Sequence, residues 1–186
     1  NFNECLHCPA VHPELTHLVP LYSRRIVDPT DVPDWADHTE RKDPRYRGGL
    51  RDGAETWSID GSAQGHVIPS LTAEDLARGQ TYASTWPSLF VAGYADHVRL
   101  CSVRPVAPER TELVAEWLFS PETLEDPGYD RTNVVDFAVR VMEQDARACE
   151  LNQRGLHAVP LESGVLMPEE YLVKRFQDWV RTGVQG

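Results

Sequence analysis

The sequence is short of the features that mark several classes of protein. Its four cysteines among 186 residues are too few for the disulfide framework of a small secreted domain. It has 18 Lys and Arg against 29 Asp and Glu, a net charge of -11. Because phosphate groups are bound by basic surfaces, this deficit argues against nucleic acid and anionic membranes as partners. The apolar runs are short and interrupted by charge, which leaves no transmembrane helix. We therefore expect a soluble, cytoplasmic protein.

The composition that remains is that of one ordinary globular domain. The hydrophobic fraction is 41% and the charged fraction is 25%, both typical of folded soluble proteins. The length suits a single core, so we treat residues 1–186 as one domain. The chain opens at Asn1 without a methionine, inside a motif that carries chemistry. We expect it to be part of a longer polypeptide.

Strand patterns precede helical ones along the chain. Three prolines prevent a single long helix in residues 1–21, and residues 28–53 form a long irregular segment. We predict strands at 56–59, 82–92, 97–105 and 111–119, the last with Leu113, Ala115, Trp117 and Phe119 on one face. We predict helices at 71–79, 132–154 and 168–182, with Thr72, Gly155 and Pro168 at their ends. This order predicts an α+β domain in which a curved antiparallel sheet wraps over the 132–154 helix.

Two histidines stand five residues apart in the opening motif Glu4-Cys5-Leu6-His7-Cys8-Pro9-Ala10-Val11-His12-Pro13. On an ideal helix they would lie about 140° apart, so they can meet at one ion only if the backbone bends, for which Pro9 is a candidate. Two imidazoles and one carboxylate form the facial triad of non-haem Fe(II) oxygenases. The motif therefore requires a carboxylate from elsewhere in the chain.

Asp145 is the candidate for that carboxylate. It lies within the 132–154 helix, three residues after Met142 and four before Cys149. We assign these two residues to an apolar stripe with Val135, Ala138, Val139 and Ala146. Asp145 is then expected on the buried face, where a carboxylate needs a partner or a metal.

The opening residues 1–15 resemble the signature that begins the catalytic domain of Rieske non-haem iron ring-hydroxylating oxygenase α subunits. The Glu-Cys-x-His-Cys form is similar to that of the homotrimeric subgroup with choline monooxygenase-like and betaine-demethylating enzymes. A family pattern of a late helix, E/Q-D-x-x-x-C-E-x-x-Q-R-G, is matched by Gln144-Asp145, Cys149-Glu150 and Gln153-Arg154-Gly155. The resemblance implies iron ligation by His7, His12 and Asp145. It also implies that Glu4 bridges electron transfer, and that the fold is a helix-grip fold.

The same resemblance implies cofactors and partners. A mononuclear Fe(II) would activate O₂ to hydroxylate or oxidatively demethylate an aromatic or other small organic substrate. Electrons would come from a Rieske [2Fe–2S] cluster, supplied with NAD(P)H electrons by a reductase or ferredoxin, across a subunit boundary in a homotrimer. No C-x-x-H pair occurs in the sequence, so we expect that cluster in an N-terminal domain outside this chain.

Two other interpretations stay open. Cys5, His7, Cys8 and His12 have the short spacing of a zinc site. A helix-grip sheet without a metal could instead bind a hydrophobic ligand. We interpret the cysteines as small buried residues, and Trp57, Trp86 and Tyr94 as core residues or, alternatively, as the lining of a pocket for a cationic or aromatic substrate. The remaining histidines are interpreted as structural or exposed: His17, His38, His66, His97 and His157.

Overall fold

The computed structural model describes residues 6–23, 49–158, 164–167 and 170–185. Glu4 and Cys5, and most of the predicted irregular segment 28–53, lie outside these ranges. The described elements are α1 (Cys8–Val11), α2 (Pro13–Leu18), a 3-10 turn (Pro20–Ser23), α3 (Ala73–Arg78), β1 (Thr81–Thr85), β2 (Leu89–Gly93), β3 (His97–Ala107), β4 (Arg110–Phe119), α4 (Pro121–Glu125), α5 (Thr132–Ala158) and α6 (Tyr171–Gln185). The architecture is α+β, as predicted.

The sheet contains four antiparallel strands in the order β1-β2-β3-β4. The two predicted strands at 97–105 and 111–119 are confirmed as β3 and β4, and their pairing extends to Ala107 and Arg110. The single strand predicted at 82–92 is wrong, because two strands pair across a turn between Thr85 and Leu89. Pro87 lies in that turn, and a proline has no N–H for the ladder of hydrogen bonds inside a strand.

One face of the sheet carries the buried side chains of β3. His97, Arg99 and Cys101 alternate with less buried residues along the strand. Phe119, Trp117 and Ala115 of β4 are their direct register partners, and residues directly opposite in adjacent strands share a face. The predicted common face of β4 is therefore the inner face of the sheet. The sulfur atoms of Cys101 and of Met142 on α5 are 4.0 Å apart, so this face is turned toward α5.

Helix α5 is the longest element and contacts the core through its first half. Its buried residues are Val134, Phe137, Ala138 and Val141, which repeat at the three- and four-residue spacing of one helix face. The predicted stripe is only partly right, since Ala146 and Cys149 are exposed. Asp145 continues the observed face, four residues after Val141.

The helix α5 also runs past its predicted end. It includes Gly155 and ends at Ala158, so the prediction of Gly155 as a terminal cap is wrong. A helix-ending glycine adopts a positive φ, which Gly155 does not have. Such a glycine does cap α3: Gly79 has φ 74°, while Thr72 and Asp75 form the capping box at the other end. This confirms the short helix predicted at 71–79.

The N-terminal segment packs against α5 through a shared hydrophobic core. The core is formed by Cys8, Leu15, Leu18, Val19, Tyr22, Trp57, Ala92, Tyr94, Phe137 and Val141. Trp57 lies at its centre, with its ring 6.0 Å from that of Phe137 and 5.1 Å from that of Tyr94. The core interpretation of Trp57 and Tyr94 is confirmed. Trp86 is 37% exposed and contacts Phe176 and Trp179 of α6 instead.

Two further predictions differ from the structure. Residues 56–59 form no strand. The segment folds back on itself, so that Thr56 N–H donates to Gly61 O at 3.2 Å, while Ile59 N–H donates to Asn133 O at 3.1 Å. The last helix is confirmed, but α6 spans Tyr171–Gln185 rather than 168–182, and Pro168 lies outside the described residues. Among the helices of the described ranges, none combines the length and apolar character needed to cross a bilayer.

Candidate metal centre

Three predicted site residues meet where the N-terminal segment packs on α5. The Nε2 atom of His12 lies 2.8 Å from Asp145 Oδ1, and the Nε2 atom of His7 lies 3.2 Å from the same oxygen. The two imidazole rings stand nearly perpendicular, with centroids 5.2 Å apart. One carboxylate oxygen is therefore adjacent to a nitrogen of each histidine.

A backbone bend brings the two histidines together. His7 precedes α1, and His12 is the joint between α1 and α2, with φ -123° and ψ 74° outside the helical region. The bend does not come from Pro9, which lies in the first turn of α1. It comes from Pro13, because the residue before a proline is driven away from helical geometry. The sequence thus predicted the bend but assigned it to the wrong proline.

The distances within this group fit one first-row metal ion. Ligand bonds of about 2.1 Å to imidazole nitrogen and carboxylate oxygen place neighbouring ligands of an octahedron about 3 Å apart. The two nitrogen-to-oxygen distances, 2.8 Å and 3.2 Å, lie on either side of that value. Two neutral nitrogens and one carboxylate are also the donor types of the facial triad. These residues could therefore hold such an ion with little movement.

A glutamine holds the other side of the His12 ring. His12 Nδ1 lies 2.7 Å from Gln144 Oε1, and Gln144 Nε2 donates to Glu14 Oε1 at 3.0 Å. The side chain of His12 is only 1% exposed, whereas those of His7 and Asp145 are 19% and 18% exposed. The His12 ring is thus fixed in place, while solvent or a ligand reaches the site from the side of His7 and Asp145.

The carboxylate and the buried histidine stabilise each other's charged forms. Burial lowers the pKa of His12, but hydrogen bonds to Asp145 and Gln144 outweigh it and raise the pKa above 6.5. Burial raises the pKa of Asp145, but hydrogen bonds from His12 and His7 lower it well below its usual range. Asp145 is therefore ionised, and the ring of His12 binds a proton more readily than a free imidazole does.

A thiol lies next to this group but belongs to the core. Cys8 Sγ is 3.9 Å from His7 Nε2, and the ligand atoms of His7, Cys8 and His12 lie within 4.8 Å of one another. The sulfur is farther from His7 Nε2 than the carboxylate oxygen of Asp145 is. The Cys8 residue is 3% exposed and packs within the hydrophobic cluster. Cys8 is thus a less favourably placed ligand than Asp145.

The chain matches, over residues 1–186, the family described as ring hydroxylating alpha subunit (catalytic domain). The chain belongs to this family. This is the family that the opening motif and the late helix predicted.

Two relatives are both named glycine betaine monooxygenase oxygenase subunit. The one from Chromohalobacter salexigens is 26% identical over 200 residues, which cover 96% of this chain and 44% of the relative. The one from Pseudomonas aeruginosa is 25% identical over 200 residues, which cover 96% of this chain and 46% of the relative. The chain thus spans less than half the length of these relatives.

The other predicted residues lie either outside the described ranges or away from the metal centre. Glu4, the predicted electron bridge, and Cys5 lie outside the described residues. Cys8 and Cys101 are buried as predicted, but Cys149 is exposed. Glu14 and Gln144 were not predicted as site residues. Gln144 occupies the E/Q position of the family pattern of the late helix, which gave no role for it, and the only signal for Glu14 was its position two residues after His12.

Proposed function

We propose that this chain binds one Fe(II) ion through His7, His12 and Asp145 and that the protein uses it to oxygenate an organic substrate. The convergence of both histidine Nε2 atoms on Asp145 Oδ1, at 2.8 Å and 3.2 Å, carries this proposal. Family membership supports it, because the match is to the catalytic domain of ring-hydroxylating α subunits. When bound, Fe(II) supplies the one-electron chemistry with O₂ that amino-acid side chains lack.

Each residue of the site has its own role in holding the ion and in controlling access to it. His7 and His12 offer neutral nitrogen donors, and Asp145 balances one of the two positive charges of the ion. The burial of His12 excludes water from one side of the site. Three ligands that occupy one face leave the opposite face for oxygen and substrate. The partial exposure of His7 and Asp145 would give oxygen and substrate a route to that face.

The electron supply is proposed from the family resemblance. A Rieske [2Fe–2S] cluster would deliver electrons to the site through Glu4, and a reductase or ferredoxin would supply that cluster from NAD(P)H. The full-length protein is proposed to be a homotrimer in which the cluster of one subunit serves the iron site of its neighbour. In this chain, Glu4 stands three residues before His7, the position that the family motif gives to the bridging acid.

The proposed reaction is hydroxylation or oxidative demethylation of an aromatic or other small organic substrate. The names of the two relatives make glycine betaine the first compound to test. The fold is proposed to be a helix-grip fold, since the inner face of the sheet is turned toward α5 through the contact of Cys101 with Met142.

The metal content of ligand variants tests the proposed site. We expect full-length protein reconstituted with Fe(II) to lose one iron per chain in each of His7→Ala, His12→Ala and Asp145→Ala. Removing one of three ligands leaves too few donors to retain the ion, whereas the Rieske iron is unaffected. Iron can be counted by atomic absorption, and the cluster by its visible absorption spectrum.

Glu143→Ala provides the matched control, because Glu143 is an exposed carboxylate on the same helix. It should retain the full iron content. Wild-type iron content in Asp145→Ala would contradict the proposed triad. If the wild-type protein bound no iron beyond that of the cluster, a metal-free binding module for a hydrophobic ligand would become the better hypothesis for this domain.

A further inference from the structure

Glu14, Gln144 and Arg140 form a chain of polar contacts behind the His12 ring. Gln144 accepts at Oε1 from His12 and donates from Nε2 to Glu14 Oε1, at 2.7 Å and 3.0 Å. Arg140, one turn before Gln144 on α5, has its Nε atom 3.7 Å from the same Glu14 oxygen. The contacts join the first turn of α2 to the middle of α5.

The hydrogen-bonding capacity of each group determines the direction of these bonds. An ionised carboxylate can only accept a hydrogen bond, so the Gln144 amide must turn its NH₂ group toward Glu14. Its carbonyl oxygen is then left facing His12. A carbonyl oxygen also only accepts, so His12 Nδ1 must carry the proton of that bond.

The fixed proton on Nδ1 has a consequence for Nε2. With Nδ1 protonated, the lone pair of a neutral His12 ring lies on Nε2, which points at Asp145 Oδ1 from 2.8 Å. A lone pair and a carboxylate oxygen at that distance repel each other unless a positive charge lies between them: a proton on Nε2, as in the hydrogen bond of the metal-free site, or a metal ion that replaces this proton. The arrangement is therefore suited to a metal ion at this point.

We infer that Gln144 is a positioning residue that Glu14 orients, and that the pair holds His12 in the tautomer and ring orientation required for metal binding through Nε2. This inference rests on the proposed function and goes beyond it. It assigns a role to two residues that touch neither the proposed ion nor a substrate. Arg140 supports the pair by neutralising Glu14.

The affinity of the full-length protein for Fe(II) tests the inference. Gln144→Met nearly preserves the shape of the side chain but removes the acceptor. Because the loss of a hydrogen bond to a ligating histidine commonly weakens metal binding by about 10–100-fold, we expect a rise in the dissociation constant of that size. Competition with a chromophoric chelator measures it.

A double variant in which the residues at positions 14 and 144 are exchanged distinguishes a positioning role of Gln144 from a role in packing alone. In Glu14→Gln combined with Gln144→Glu, an acceptor still faces His12 Nδ1 and a donor still connects the two side chains. We expect this double variant to recover most of the affinity that Gln144→Met loses. Gln153→Met is the matched control, since Gln153 is exposed two turns further along α5, and its affinity should equal that of the wild type.

A measurement on the wild-type protein does not depend on whether a variant folds. In the Co(II)-loaded protein, proton NMR detects the shifted imidazole N–H signals of ligating histidines. We expect one slowly exchanging Nδ1 proton among these signals in the wild type. Its faster exchange in Gln144→Met, which removes the acceptor of His12 Nδ1, assigns it to His12.

Two results would overturn the inference. One is an unchanged Fe(II) dissociation constant in Gln144→Met, and the other is the absence of a slowly exchanging His12 Nδ1 proton in the wild type. Either result leaves the proposed function standing as long as Asp145→Ala loses its iron. If Asp145→Ala instead keeps its iron, the proposed triad itself is wrong, so the two failures are distinguishable.

Discussion

At the scale of single residues, Cys8 separates the iron hypothesis from the zinc hypothesis. Its sulfur is 3.9 Å from His7 Nε2, but its residue packs in the hydrophobic cluster with Leu15, Phe137 and Val141. A zinc site would use the thiolate as a ligand. The proposed triad leaves it as a small apolar group in the core.

We expect Cys8→Ala to lower the free energy of unfolding by about 1–3 kcal/mol, the usual range for loss of buried atoms, without changing Fe(II) affinity. Urea denaturation and the chelator competition measure the two quantities. Cys149→Ala, which removes an exposed thiol, should change neither. Loss of metal in Cys8→Ala would favour zinc ligation by His7, Cys8 and His12.

The sequence predicted the three triad residues for different reasons. His7 and His12 share one short motif, so their spacing and a neighbouring proline are enough to suggest a common site. Asp145 was found through its helix and the family pattern. Glu14 and Gln144 could not be predicted in the same way, because their role depends on a hydrogen bond between side chains 130 residues apart. Such a bond is set by packing and rotamers, and a single sequence carries no signal for it.

At the scale of elements, α5 performs two tasks along its length. Its first half provides Val134, Phe137, Ala138 and Val141 to the core, and the turn that follows carries Asp145. The predicted stripe extends too far because Ala146 and Cys149 continue the apolar spacing beyond the point where the core ends. Periodicity identifies a face of a helix, but only the tertiary structure determines how far that face is covered.

Phe137 tests whether only the first half of α5 contributes to the core. Its side chain is 2% exposed and packs edge-on against Trp57. We expect Phe137→Ala to lower the free energy of unfolding by about 3–5 kcal/mol, the usual cost of truncating a buried phenylalanine. Thermal or urea denaturation measures this loss.

Leu151 on the same helix is 54% exposed and serves as the control. Leu151→Ala should change the free energy of unfolding by no more than about 0.5 kcal/mol, as for most surface substitutions. Equal losses in the two variants would mean that α5 is covered along its second half as well, contrary to the division described above.

At the scale of the whole molecule, a buried acid joins the sheet to the segment before it. Asp96 Oδ1 accepts from Thr56 Oγ1 at 2.6 Å and from His97 Nδ1 at 2.8 Å, and all three side chains are buried. Burial raises the pKa of Asp96, but the bonds from His97 and Thr56 outweigh it and lower the pKa below 3.8.

The direction of this shift determines how stability depends on pH. Because the pKa of Asp96 is lower in the folded than in the unfolded protein, its contribution is present above pH ~4 and is lost as the pH falls through the folded value. We expect Asp96→Asn to be less stable than the wild type by about 1.5–3 kcal/mol at neutral pH, with the gap narrowing below pH ~4. Urea denaturation across this pH range measures the gap.

Asp52→Asn is the control for this experiment, since Asp52 is an exposed carboxylate in the same region. Its unfolding free energy should follow that of the wild type at every pH. A gap between the wild type and Asp96→Asn that stays constant from pH 7 to strong acid would show that the charge of Asp96 is not what stabilises the fold.

The separation of His12 and Asp145 along the chain has a thermodynamic consequence. The two residues are 133 positions apart, so an ion that binds both closes a loop over most of the chain. Binding and folding are then linked equilibria, because the unfolded chain cannot present both ligands at once. Each tenfold rise in free Fe(II) above the dissociation constant adds about 1.4 kcal/mol to the stability of the folded state. Iron supply would in this way set the lifetime of the protein as well as its chemistry.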